Sequence, residues 1–148
     1  MSWECDNHYG RTPEGAPDPN YGKILLTVAL ADGSLAPEEA ETARGIAVML
    51  NTPPEAIDEA FAFDTSSGDL AQLITPGATP NRALVYDTLR VAGGDGNLGQ
   101  AERDKAKTAA DMLGVDGDTF DQLASLVEEE YQLRQRKADL IFPDGQRV

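Results

Sequence analysis

The chain has 148 residues, 26 acidic side chains against 12 basic ones, one cysteine and a formal charge of -14. That length suits one domain with a hydrophobic core that needs no disulfide or metal staple, and a single cysteine excludes an intramolecular disulfide framework. The charge repels phosphates at long range, which argues against nucleic acid and anionic lipid surfaces and in favour of cations or a basic protein partner.

Residues 1–20 mix Pro, Gly, Asn and Asp without a periodic apolar pattern, predicting an irregular arm whose Trp3 and Tyr9 dock on the body. The arm lacks the basic and apolar regions of a signal peptide, and the longest apolar stretch, "ILLTVALA", is too short to cross a bilayer. With a single cysteine, the expectation is a cytoplasmic protein that is not integral to a membrane.

From Tyr21 apolar positions recur at helical spacing, so the body, residues 21–138, is expected to be all-α, a compact bundle of about six to seven helices. The first covers about Tyr21 to Ala31 and stops at Asp32-Gly33. A second starts at Pro37, presents Ala43, Ile46, Ala47 and Leu50 inward, and ends near Asn51. Thr52 and Glu55 stand at capping-box spacing before a third helix with Ile57, Ala60 and Phe61 on its core side. "DLAQLI" suggests a short helix, and a fourth long one runs from about Pro80 to Ala92. A fifth covers Gln100 to Leu113, ended by Gly114, and the last runs from Asp118 to about Ala138, followed by a tail, 139–148, with Leu140 to Phe142 packed.

Two stretches repeat. Placing Asp32 on Asp95 aligns Gly33 with Gly96, Leu35 with Leu98, Glu39 with Glu102, Ala43 with Ala106 and Leu50 with Leu113 without a gap. The economical explanation is a duplicated unit, at about 24–61 and 87–124, whose copies bury their apolar faces against each other. The shared element, Asp-Gly-x-Leu-x-x-x-Glu, is the second half of an EF-hand loop, but the positions of the first two ligands hold Val28 and Leu30, or Val91 and Gly93. Neither copy wraps a calcium ion alone. Two facing copies supply four carboxylates, Asp32, Glu39, Asp95 and Glu102, the hard oxygen donors that a divalent cation of calcium type takes. The alternative is structural: Asp-Gly as a helix stop, and Glu39 and Glu102 as third-position glutamates satisfying a free N–H. It leaves the cap residues, Ala36 and Gly99, without a side-chain acceptor.

"LLTVALADGSLAPEEAETARGIAVML", with its second copy "DTLRVAGGDGNLGQAERDKAKTAADMLGV", resembles the tellurite-resistance TerB family, whose fold is also that of the N-terminal region of some membrane-anchored J-domain co-chaperones. The resemblance covers about residues 21–130. It implies an all-helical domain of two similar halves, an acidic ligand cluster at Asp32, Glu39, Asp95 and Glu102 with Glu38 as an outer member, and a role in a stress-response or envelope-associated system.

Other motifs lead nowhere. His8 is the only histidine, so a histidine-based zinc site or a catalytic triad would have to stand on the arm. No phosphate-loop signature occurs, and "DTL" at 87–89 has threonine where acyl carrier proteins place the prosthetic-group serine. Nothing points to an enzyme. The two functional expectations are a cation-binding helical domain with a protein partner, and a metal-free interaction module that docks a basic partner on its acidic surface.

Overall fold

The computed structural model describes residues 2–12, 21–29, 36–62, 81–93 and 98–145. They form seven helices and, among the described residues, no strand: α1 (Ser2–Tyr9), α2 (Tyr21–Ala29), α3 (Pro37–Met49), α4 (Pro54–Ala62), α5 (Asn81–Ala92), α6 (Gln100–Met112) and α7 (Gly117–Ile141). The all-α expectation holds. The "DLAQLI" segment lies outside the described residues.

α2 and α5 form the centre. Ile24 and Leu25 from one, and Leu84, Val85, Leu89 and Val91 from the other, are almost entirely inaccessible to water, each such side chain contributing about 1.5–3 kcal/mol of burial free energy. α2 packs against α3, α4, α5 and α6, and α5 packs against α2, α3, α6 and α7. Each central helix therefore touches elements from both halves. α6 meets this pair with Ala106, Ala109 and Ala110, all fully buried, small side chains that bring its backbone close to its neighbours. Gly22 serves the same end between α2 and α4, where an added Cβ would stand 3.0 Å from Ala60 Cβ.

The duplication extends to the backbone. Pro37 and Gln100 open α3 and α6, Met49 and Met112 close them, and Pro54 and Gly117 open the next helices, each pair 63 residues apart. Asn51 and Gly114 follow α3 and α6 with left-handed φ of 57° and 76°. The N–H of Thr52 bonds Ala47 O at 2.9 Å while that of Asn51 bonds Val48 O, and Val115 and Gly114 repeat this on Ala110 O, at 2.8 Å, and Asp111 O. This is the Schellman arrangement, which satisfies helix-end carbonyls through one residue in the left-handed region.

Three sequence expectations are corrected. Segment 1–20 is not irregular throughout, since Ser2–Tyr9 is helical; it docks through Cys5 and Tyr9, not Trp3, which is exposed. The helix is short and joins the body mainly through polar contacts, so it leaves no apolar stripe to read. α4 begins at Pro54, with Ala56 and Ile57 N–H on Pro53 O, which puts Pro53 in the cap position in place of Thr52. α7 runs on to Ile141, and Leu140 and Ile141 are exposed instead of packed. "KADLI" contains no helix breaker, and the chain leaves the helix at Phe142, whose helical conformation is disfavoured by Pro143.

Candidate functional site

Glu39 and Glu102 each occupy the third position of their helix, one turn after cap residues in extended conformation, Ala36 and Gly99. Glu39 Oε1 accepts from Ala36 N–H at 3.3 Å, and Glu102 Oε2 accepts from Gly99 N–H at 3.4 Å. Half of a capping box forms in both copies. The reciprocal half needs a side-chain acceptor that Ala36 and Gly99 do not have. Both glutamates are only 4 % exposed, whereas third-position glutamates that merely cap a helix can do so from its solvated face. Burial of a carboxylate is costly without compensating charge or hydrogen bonds.

Asp32 and Asp95, the other two residues of the expected cluster, lie outside the described residues. Glu38, its outer member, is exposed. Among the described residues no three His, Cys, Asp or Glu side chains are gathered closely enough to hold a metal ion.

A second polar constellation escaped the sequence reading. Asp87, on α5, is completely buried. Its Oδ1 stands 2.6 Å from His8 Nε2, and its Oδ2 accepts from Tyr9 OH at 2.5 Å and from Tyr21 OH. Three donors from α1 and α2 thus converge on one carboxylate, the condition under which a buried charge is tolerated. Burial, then the negative charge of Asp87, pushes the Tyr9 and Tyr21 hydroxyls above the ordinary phenol range, so both stay protonated and donate. His8 stacks edge-on against Tyr9 and Tyr86, with centroids 4.5 and 5.3 Å apart, and Tyr86 OH donates to both carboxylate oxygens of Glu130 at 2.9 Å. A signal for this network was present: Asp87 falls on an apolar stripe, at the position equivalent to Ile24 in the first copy.

No protein-family model and no curated protein matches the chain. Among solved structures, a tellurite resistance protein from Nostoc punctiforme is similar to it, with a TM-score of 0.77 and 27 % identity, covering 99 % of this chain and 93 % of the other. The similarity therefore includes α1 and α7 as well as the duplicated core.

Proposed function

The chain has the TerB-like fold, and from it we propose a cytoplasmic, non-catalytic module that binds a divalent cation through its two Asp-Gly-x-Leu-x-x-x-Glu turns and signals to a protein partner in a stress-response or envelope-associated system. The stress role rests on the similarity to a tellurite resistance protein. One observation carries the cation reading: Glu39 and Glu102, at equivalent positions of the two copies, are both buried. With Asp32 and Asp95 seven residues before them, the donor set is four carboxylates, hard oxygens that suit calcium-type ions and not the thiolate and imidazole sites of zinc. Backbone carbonyls or water would complete six or more ligands.

The test is thermal unfolding of EDTA-stripped protein with and without millimolar calcium, magnesium, manganese or zinc, beside the Asp32→Asn, Asp95→Asn double variant. An ion at about a hundred times its dissociation constant adds about 2.7 kcal/mol, a rise of several degrees for a domain of this size. The expected rise occurs with one cation and vanishes in the variant. No rise with any ion sinks the reading.

A second reading has its own support, since each glutamate caps its own helix. On that reading the turns are structural and the acidic surface docks a basic protein. Binding would then weaken with salt and survive EDTA.

A further inference from the structure

α1, α5 and α7 enclose a cleft of about 610 Å3, within the size range of small-molecule sites. Its apolar surface comes from Ala83, Tyr86, Leu123 and Leu126, the last 43 % exposed. Arg11 and Arg82, both exposed, line it as well.

The charges around the cleft are unevenly compensated. Glu130 lines it too, but accepts from Tyr86 OH on both oxygens at 2.9 Å. Its carboxylate is therefore already engaged by a side chain of the cleft wall. Neither Arg11 nor Arg82 forms an ion pair within 4.0 Å among the described residues. In a chain of net charge -14, two arginines without an ion pair among the described residues thus line an apolar cleft. Arginine is the side chain best shaped to grip a planar anion through paired N–H donors.

We propose that this cleft binds a small organic anion, its apolar body on Tyr86, Leu123 and Leu126 and its anionic head toward Arg11 and Arg82. Because His8 and Tyr9 belong to both the cleft wall and the Asp87 network, the site exists only while α1 is docked.

The probe is 8-anilinonaphthalene-1-sulfonate titrated onto the full chain, with uncharged N-phenyl-1-naphthylamine as its comparison. Saturable, blue-shifted fluorescence is expected. The Arg11→Glu, Arg82→Glu double variant weakens the sulfonate by about tenfold or more and leaves the uncharged probe unchanged, while Leu126→Asn weakens both. Arg44→Glu, in the first half of the molecule, is compared with Arg82→Glu alone, since the two single reversals change the net charge equally. Far-UV circular dichroism checks that each variant keeps its helices, as expected for exposed positions. An unaltered sulfonate affinity in the double variant, a loss in Arg44→Glu equal to that in Arg82→Glu, or no effect of Leu126→Asn overturns the proposal.

Discussion

Where the first half of the molecule carries Ile24 the second carries Asp87, and neither side chain can be reached by water. The backbones around them follow one plan, down to the left-handed residue and the paired hydrogen bonds after α3 and α6. The first half fills its position with hydrocarbon. The second holds a carboxylate there because Tyr21 and the α1 residues His8 and Tyr9 supply its donors. A duplicated scaffold can thus accept a buried carboxylate in one copy when side chains outside the duplication arrive to hydrogen-bond it, and α1 becomes a structural requirement of the second half.

The strongest way to break this contrast is Asp87→Ala. Removing the common acceptor leaves three inward-facing polar groups behind, and a loss of about 3–5 kcal/mol is expected in urea unfolding, with faster amide exchange across α1. The sharper version installs the first half's solution: Asp87→Ile together with His8→Leu, Tyr9→Phe and Tyr21→Phe should regain most of that loss, since an apolar replacement of a whole buried network is often near neutral. If the quadruple variant is no more stable than Asp87→Ala, the network does not account for the site.

A smaller effect separates the two helix ends. Gly114→Ala places a Cβ on a residue with φ of 76° and should cost about 1 kcal/mol, while Asn51→Gly at the equivalent position should gain a few tenths of a kcal/mol or nothing. Chemical denaturation of both variants measures the asymmetry.

The smallest effect concerns the start of α7, where the two copies differ in cap chemistry. Asp116 accepts Thr119 N–H at 2.7 Å, whereas the corresponding residue is Pro53. That backbone hydrogen bond, followed by the Thr119 side chain, holds the Asp116 carboxyl below its ordinary range. A lowered folded-state value means that its stabilisation is present above the unfolded pKa, about 3.9, and is lost as pH falls through the folded value. The stability gap between wild type and Asp116→Asn, read from melting temperature, should therefore be present at neutral pH and close on acidification below about pH 4.

The helices of the body were legible in the sequence because each combines a 3.6-residue apolar stripe with a recognisable stop: Ala43, Ile46 and Ala47 before Asn51, Ala106, Ala109 and Ala110 before Gly114. Glu39 and Glu102 could be placed at helix starts from spacing alone, but their burial could not, since it depends on how α3 and α6 settle on α2 and α5. α1 was invisible for a different reason. Its docking rests on Cys5, on His8 and Tyr9, and on a carboxylate 79 residues from His8. Such a contact produces no periodicity in either segment. Asp87 was the available clue, as one acidic residue on an otherwise apolar stripe, and the alignment that pairs it with Ile24 already contained the mismatch.

α3 reaches across to α5 and α6 reaches across to α2, so the two copies are woven together and not set side by side. Cutting the chain in the connection between them would strip each fragment of a helix that covers its central one, exposing Leu25 or Leu89. A lone half could hide that surface only by pairing with another half, rebuilding the interlace between two molecules. Unfolding of the intact chain should accordingly proceed as one cooperative event with a single calorimetric transition, because neither repeat has a core of its own to retain.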